Sequence, residues 1–197
     1  MYVDKSVTPA LIGSAMEHAT PDAMKISNLK ALRNLMKAID RRDSYTRFHS
    51  DHATHLAATL GRLLMLPAEQ MTAISIGGPI HDLGKIVVPD DVLRKPGPLT
   101  LEERKTMEEH PVMGAAIAAA VTDLDTVVNL VRHHHERFDG EGYPGGLARE
   151  EITYPTRIFT LADAYSAMTT DRPYRKGLSL EQAVDQIMHG RSTQFDP

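Results

Sequence analysis

The chain has 197 residues, of which 42% are hydrophobic and 24% charged, as is typical of one soluble globular domain with an ordinary core. Its formal net charge of −4 gives no support for binding to nucleic-acid polymers or membrane surfaces. The absence of Cys excludes disulfides and thiolate metal sites and fits the cytoplasm, where we expect the protein. The sequence shows no signal peptide and no apolar run of transmembrane length.

Helical periodicity runs through most of the chain, without a credible strand pattern. Residues 1–24 lack clear periodicity and resemble a linker or the tail of an upstream element. We therefore place one domain over residues 25–197 and expect it to be truncated at its C-terminus. The predicted helices lie, in order, around 26–39, from the break at 40–43 to 64, 67–84, 101–109, the Ala-rich stretch after 111, 124–135, 155–170 and from 180 onwards. This order predicts an all-α fold.

Local signals mark several helix ends. Thr100 with Glu103, and Ser179 with Gln182, have the spacing of capping boxes, so a helix should begin after each hydroxyl residue. Pro111 should break the helix that precedes it. Between the third and fourth helices, the segment VVPDDVLRKPGPLT is rich in Pro and charge, and we predict a loop there.

Residues with metal-ligating chemistry fall at the ends or on the apolar faces of these helices. His81 and Asp82 close the apolar segment AISIGGPIHDLGK, where burying them costs several kcal/mol unless a partner satisfies them. Taken alone, the pair is better explained by a histidine that stabilises a helix C-terminus. Imidazoles and carboxylates without thiolates suit a hydrolytic site for Fe, Mn or Zn. The other candidates of this kind are His49, His110, His134, His135 and Asp163.

The motifs of this chain resemble those of one known family. An HD doublet alone is weak, whereas HDLGKI followed by HHE, DGEGYP and DRPYR is highly specific. These motifs resemble the HD-GYP domain, a subgroup of the HD phosphohydrolase superfamily, over roughly residues 25–197. The resemblance implies an HD-domain helical bundle with a Gly-rich GYP loop. The matching segments are RRDSYTRFHS, HDLGKIVVP, LRKPGPLTLEE, EEHPVMG, HHERFDGEGYP, LADAYSAMTTDRPYR and FDP, in family order.

The resemblance implies a site for two divalent metal ions, Fe or Mn above all. Two ions about 3.5–4 Å apart stabilise an in-line displacement at phosphorus. Some family members hold a third ion through a Glu one helical turn before the first His ligand. This chain has Tyr45 there, so we predict two ions, which puts efficient complete hydrolysis to GMP in doubt. By matching position, one ion takes His49, His81, Asp82 and Asp163, and the other takes Asp82, His110, His134 and His135.

Five further histidines have no counterpart in the family's metal pattern. His133 lies about 100° from His134 on a helix, so we place it at the helix C-terminus, near the dipole or solvent. His52 and His55 follow His49 on one helix, and we interpret them as supporting or surface groups. His18 and His189 lie in segments without other metal chemistry and are expected to be solvated.

The resemblance also implies the substrate contacts. Lys85 is predicted to bind phosphate and to assist catalysis beside Asp82; the alternative is a surface lysine past a helix end. Arg172 and Arg175 match phosphate oxygens bidentately, although Arg172 could instead pair with a nearby acid. Asp43 is a further candidate contact with the substrate. Tyr143, in the loop DGEGYPGG, either stacks on a guanine or only packs within the loop.

The implied function is a metal-dependent phosphodiesterase in bacterial second-messenger signalling. It hydrolyses cyclic di-GMP to linear pGpG, and the resemblance allows a slower further conversion to GMP. One alternative is a catalytically weak signalling module that binds a cyclic dinucleotide, or a diguanylate-cyclase (GGDEF-type) or adaptor protein through the GYP loop. Another is a phosphodiesterase for a different cyclic dinucleotide, such as cyclic GMP-AMP. The DGEGYP loop argues against a mononucleotide hydrolase. We also expect an upstream receiver or sensor domain.

Overall fold

The computed structural model describes residues 21–42, 49–171 and 176–197, so the predicted linker before residue 21 lies outside the described residues. Over these ranges the chain is helical, and only two isolated bridges, Asp139 with Ala148 and Arg191 with Phe195, have strand-like pairing. The predicted all-α class is confirmed. Among the described residues, no helix has the length and apolar character needed to span a bilayer. The α-helices are α1 (Pro21–Arg42), α2 (His49–Leu63), α3 (Ala68–Thr72), α4 (Asp90–Leu93), α5 (Leu101–Glu108), α6 (His110–Ala119), α7 (Asp125–His133), α8 (Tyr154–Thr169) and α9 (Leu180–His189).

Two apolar clusters form the core around the site. The first joins α1 to α6 and α7 and includes Leu32, Met36 and Val131. The second joins α2 to α8, where the small Ala53 and Ala57 let the two helices approach closely. Full burial of a large apolar side chain contributes about 1.5–3 kcal/mol, so these clusters hold the helices that carry the polar site.

The segment from 67 to 84 is not the single helix that its apolar pattern predicts. After α3, the chain makes a π-helical turn over Ala73–Gly77 and 3₁₀ turns over Gly78–Ile80 and Leu83–Val87. Consecutive glycines favour a regular helix poorly, and Pro79 has no N–H for an α-helical ladder. Asp82 falls between the two 3₁₀ turns with φ −88° and ψ 8°. This broken geometry places His81 and Asp82 within the core instead of at a helix tip.

Helix α6 packs directly against the turn that follows Asp82. A Cβ atom added at Gly84 would lie 1.8 Å from the carbonyl oxygen of His110 and 2.5 Å from the Gly114 nitrogen. Only glycine fits so close a backbone approach. The contact brings His110, the first residue of α6, beside Asp82.

The local helix signals hold with one exception. Both capping boxes are confirmed, with the Glu103 N–H donating to Thr100 Oγ1 and the Gln182 N–H to Ser179 Oγ. The helix break before Pro111 is confirmed, because α5 ends at Glu108. The prediction of a loop after the third helix is wrong over four residues, since the short helix α4 forms there. Its first turn has two aspartates, where the helix dipole favours negative charge.

Candidate metal centre

All seven predicted ligands converge in the structure from separate elements. They form two groups, and within each group the potential ligand atoms lie within 4.8 Å of one another. The predicted helix over 124–135 ends at His133, so His134 and His135 lie on the turn that leaves α7 and both reach the site. Asp82, His110, His134 and His135 make up the first group, and His49, His81 and Asp163 the second.

The carboxylate of Asp82 joins the two groups. Its Oδ1 lies 3.2 Å from His110 Nε2 and 4.0 Å from His134 Nε2, on the side of the first group. Its Oδ2 lies 3.4 Å from His81 Nε2, on the side of the second group. A carboxylate with one oxygen facing each group could contribute a ligand atom to both groups.

Asp163 occupies the centre of the second group. Its Oδ1 lies 2.8 Å from His49 Nε2 and 3.5 Å from His81 Nε2. Despite these contacts, this oxygen is buried and has no hydrogen-bond donor in alignment with it among the described residues. A buried carboxylate oxygen without an aligned donor is costly, and a cation would satisfy it.

Backbone carbonyls orient three of the imidazoles. A carbonyl oxygen can only accept, so each Nδ1 carries a hydrogen, and the Nε2 is an acceptor whenever the ring is neutral. The Nε2 atoms of His110 and His134 then lie 3.3 Å apart and both face Asp82. Acceptors that converge in this way, without a donor between them, fit a divalent cation. The Nδ1–carbonyl pairs are His81 with Gly78 (2.8 Å), His110 with Met107 (2.7 Å) and His134 with Val131 (2.8 Å).

The electrostatics of the site reflect this crowding of charge. Burial lowers the pKa of His81, but the carboxylates of Asp82 and Asp163 outweigh burial and raise it to about 9. Burial and the neighbouring His135 hold the pKa of His134 well below its ordinary value. For Asp82, burial is outweighed by Lys85 and His81, which keep its pKa well below the usual range. The carboxylates therefore stay ionised, and they stabilise positively charged groups beside them.

Lys85 lies against the joining carboxylate. Its Nζ donates to Asp82 Oδ2 at 2.7 Å. Lys85 follows Asp82 by three residues and lies within the 3₁₀ turn Leu83–Val87. The side chain is largely buried, with 14% of its surface exposed, so it is not the surface lysine of the alternative interpretation. A cation held at this position can offset negative charge on a ligand bound beside Asp82.

Two hydroxyl groups of α8 support the histidines. Ser166 Oγ lies 2.9 Å from His49 Nδ1 and 3.0 Å from His52 Nδ1. Thr160 Oγ1 donates to the carbonyl oxygen of His134 at 3.0 Å. His52 belongs to neither ligand group, in agreement with its interpretation as a supporting residue.

Sequence reasoning missed Glu136, the acid of the HHE motif. Its carboxylate is 1% exposed and accepts the N–H groups of Gly145 at 2.6 Å and Leu147 at 3.1 Å. His133 Nδ1 lies 3.2 Å from the same carboxylate, so His133 is half-buried rather than solvated. Glu136 thus ties the GYP loop to the turn that carries His134 and His135. The only sequence signal was an acid directly between a histidine pair and a Gly-rich loop.

The GYP loop packs closely on this turn. A Cβ atom at Gly142 would lie 2.4 Å from the Arg137 nitrogen and 2.6 Å from Glu136 Cα, so only glycine fits. Tyr143 donates its N–H to the carbonyl oxygen of His135 at 3.3 Å, and the peptide bond before Pro144 is cis. The loop therefore lies at the border of the metal centre, as the resemblance implies.

Tyr143 makes its aromatic contact with a candidate ligand. Its ring stacks on the imidazole of His135, with centroids 4.9 Å apart and planes inclined by 28°. Burial, reinforced by the Asp82 carboxylate, raises the pKa of the Tyr143 phenol above its ordinary value, so the hydroxyl stays protonated. The other predicted substrate contacts, Asp43, Arg172 and Arg175, lie outside the described residues, as does Tyr45.

A helical domain that brings two His/Asp clusters together places this chain in the class of helical proteins with a candidate metal site. The sequence profile of the HD domain family matches residues 26–197, and the chain belongs to that family. The resemblance to the HD phosphohydrolase superfamily is thereby confirmed. HD domain hydrolases are metal-dependent, and both clusters of this chain could bind metal.

Several curated proteins are similar to this chain. It is 35% identical over 170 residues to the cyclic di-GMP phosphodiesterase response regulator RpfG of Xanthomonas campestris, covering 85% of this chain and 45% of that protein. It is 40% identical over 156 residues to a cyclic di-GMP phosphodiesterase of Pseudomonas aeruginosa, covering 79% and 37%. It is 31% identical over 182 residues to the 3′3′-cGAMP-specific phosphodiesterase 1 of Vibrio cholerae, covering 89% and 42%. The chain spans less than half the length of these relatives.

Two solved structures share the fold. A cyclic GMP-AMP-specific phosphodiesterase of Vibrio cholerae superposes with a TM-score of 0.63 at 18% identity, over 86% of this chain and 46% of that one. An HD-GYP-type protein of Bdellovibrio bacteriovorus superposes with a TM-score of 0.62 at 18% identity, over 89% and 67%. At this identity the likeness establishes the helical HD fold and no more.

Proposed function

We propose that residues 25–197 form the catalytic domain of a phosphodiesterase that hydrolyses cyclic di-GMP to linear pGpG. The observation that supports this most directly is the Asp82 carboxylate, which has one oxygen facing each of two buried ligand groups. Relatives of the chain in four bacteria are named cyclic di-GMP phosphodiesterases, which favours this substrate among phosphodiesters.

Two divalent ions, Fe or Mn, are proposed as the cofactors. Sites of imidazole and carboxylate accept both metals. When bound, such ions polarise a phosphoryl oxygen and lower the pKa of water to about 7. The first proposed ligand set is His49, His81, Asp82 and Asp163, and the second is Asp82, His110, His134 and His135.

The chain's own residues supply binding and charge compensation around this centre. Lys85, 2.7 Å from Asp82, is placed to attract a phosphate and to offset negative charge that develops during the reaction. The stacked pair of His135 and Tyr143 shapes the wall on the side of the GYP loop. Arg172, Arg175 and Asp43 stay predictions for the remaining phosphate and substrate contacts.

A second candidate substrate is cyclic GMP-AMP. Relatives at 31% and 30% identity are named 3′3′-cGAMP-specific phosphodiesterases. The ligand groups described above would hold a phosphodiester and not a base, so they fit both cyclic dinucleotides equally. Incubating the protein with each nucleotide separately and comparing kcat/KM decides between these substrates.

Partners and location are also proposed. The GYP loop, DGEGYPGG over residues 139–146, is the surface proposed for a GGDEF-type or adaptor protein. An upstream regulatory domain and a cytoplasmic location are proposed as well. A module that binds a cyclic dinucleotide without turnover is the alternative to an enzyme. It would show saturable binding of cyclic di-GMP and no product at full metal occupancy.

The proposed function is tested by the substitution Asp82→Asn, which keeps the shape of the side chain and removes its charge. We expect the variant to lose bound metal and pGpG formation together, because a neutral amide bridges cations poorly. Metal is measured by elemental analysis of anaerobically purified protein, and products are resolved by chromatography. The matched control is Asp185→Asn, an exposed aspartate of α9, which should keep both. Normal turnover by Asp82→Asn would refute the proposed site.

A further inference from the structure

A cavity of about 360 Å³ opens directly beside the candidate metal centre. His135 and Asp163 line one end of it, and Gln186 of α9 and Gln194 of the C-terminal segment line the other part. Ligand sites in proteins have volumes of about 300–1,000 Å³, so this one, at the lower end, suits a single nucleotide unit rather than a whole cyclic dinucleotide. The cavity therefore offers room for one part of a substrate whose phosphodiester lies at the metal centre.

The walls of the cavity suit a flat apolar group. Ala164 and Ala167 lie three positions apart on α8, so their small side chains share one face of that helix. Phe195 adds an aromatic side chain to the lining. Bases stack on aromatic and other apolar surfaces, each such contact being worth about 1–3 kcal/mol. A ribose phosphate has no comparable apolar face.

Away from the metal centre, the polar groups that line the cavity are neutral or already compensated. Gln186 and Gln194 are the carboxamides that line it, and neither side chain makes a hydrogen bond to another described residue. Arg137 also lines the cavity, but its Nε and Nη2 bind the Asp139 carboxylate at 3.0 and 2.5 Å. This bidentate pair compensates the guanidinium charge, so the region away from the metal centre favours a neutral ligand over a second phosphate.

We propose that this cavity is a subsite for one purine base of the substrate, and that Gln186 and Gln194 are the specificity-determining residues that bind the polar edge of the base. A carboxamide presents a donor and an acceptor side by side, which matches the alternating donors and acceptors of a purine edge. The inference rests on the proposed function, since the metal centre would hold the attached phosphodiester. Gln186 and Gln194, which are not among the candidate metal ligands, would then select a dinucleotide that carries purines.

The kinetic test compares two phosphodiesters in the metal-loaded protein. Cyclic di-GMP carries purines, whereas bis(4-nitrophenyl) phosphate carries none. Gln186→Ala and Gln194→Ala should each raise KM for cyclic di-GMP about threefold to tenfold, the loss expected for a hydrogen bond, without a matching fall in kcat. In the double variant, the ratio of kcat/KM for cyclic di-GMP to that for bis(4-nitrophenyl) phosphate should fall at least tenfold.

The matched control is Asp185→Asn, which changes the residue next to Gln186 on the exposed part of α9 and should leave the ratio unchanged. Thermal melts establish that each variant is folded at the assay temperature. A ratio within twofold of the wild-type value in the double variant would overturn the subsite. An equal loss for both substrates would also overturn it, because it would show that the glutamines act on the metal centre itself.

A binding experiment separates the subsite from the proposed function. GMP is titrated calorimetrically into the full chain in the presence of a chelator, so turnover plays no part. The double variant should bind GMP at least tenfold more weakly than the wild type. If the wild type hydrolyses no cyclic dinucleotide, the proposed function fails, and this titration alone decides the subsite: weaker binding supports it and equal binding overturns it.

Discussion

Removing the Glu136 carboxylate should uncouple the GYP loop from the candidate metal centre. This side chain is 1% exposed and accepts N–H groups from Gly145 and Leu147, which follow it by nine and eleven positions. It also contacts His133 Nδ1 at 3.2 Å. Glu136→Ala deletes all three contacts, while Glu136→Gln keeps one oxygen and turns an amide N–H₂ towards a backbone donor.

The magnitude follows from the number and kind of these contacts. A hydrogen bond to a charged group contributes about 1.5–3 kcal/mol, and each buried donor without a partner costs about 1–3 kcal/mol. Because the losses overlap, we expect Glu136→Ala to lower the free energy of unfolding by about 3–5 kcal/mol. Glu136→Gln should lower it by about 1–3 kcal/mol. In a domain of this size, about 1 kcal/mol lowers Tm by about 2–4 °C.

The assay is urea unfolding followed by circular dichroism, together with amide hydrogen exchange. Exchange at Gly145 and Leu147 should accelerate more than at core amides, because the loop is released locally. Metal affinity should fall about 10- to 100-fold, since the turn with His134 and His135 loses its support. The control Glu141→Ala changes an exposed acid of the same loop and should alter stability by no more than about 0.5 kcal/mol. Wild-type stability and unchanged exchange in Glu136→Ala would refute this reasoning.

Two further predictions concern the support and the charge of the centre. Ser166→Ala removes the hydroxyl beside His49 and His52 and should weaken Mn²⁺ binding about 10- to 100-fold in a chelator competition. The control Ser75→Ala, which loses only an exposed bond to the carbonyl oxygen of Met71, should bind Mn²⁺ as the wild type does. In chelator, the free energy of unfolding should be greatest near pH 6.5. Burial lowers the pKa of the folded His81, but Asp82 and Asp163 outweigh burial and raise it to about 9. Between pH 6.5 and 9 the unfolded His81 loses its proton while the folded one keeps it, so the stabilisation from this charge is lost as the pH rises. Burial and the neighbouring His110 lower the pKa of the folded His135 to about 3. Below pH 6.5 the unfolded His135 is protonated while the folded one stays neutral, so the free energy of unfolding falls as the pH falls. A flat profile from pH 5 to 9 in urea unfolding would contradict this pH dependence.

Much of the fold could be predicted because its determinants are local. Helical spacing of apolar residues and the capping boxes at Thr100 and Ser179 depend on neighbours within one or two turns. The segment from 67 to 84 could not be predicted, since periodicity does not distinguish an α-helix from successive π and 3₁₀ turns. Its course depends on the approach of α6 to Gly84, which is a contact between distant parts of the chain.

The candidate site divides in the same way. Motif identity predicted seven residues, and the structure brings all seven together, although their role as ligands stays a prediction. Glu136 was missed because its partners are backbone N–H groups of the loop, and a charged residue in a sequence is ordinarily solvated. The stacking of Tyr143 on His135 was missed because a loop's side-chain contacts depend on its tertiary course.

The central claim is that this chain is a two-metal phosphodiesterase for cyclic di-GMP. The most direct test purifies the chain anaerobically, counts its Fe and Mn by elemental analysis, and follows cyclic di-GMP by chromatography with and without chelator. The account predicts two metal equivalents per chain, conversion to pGpG, and loss of that conversion in chelator with recovery on adding Mn²⁺ or Fe²⁺. Cyclic di-GMP that stays intact at full metal occupancy, or is cleaved equally well in chelator, would contradict it.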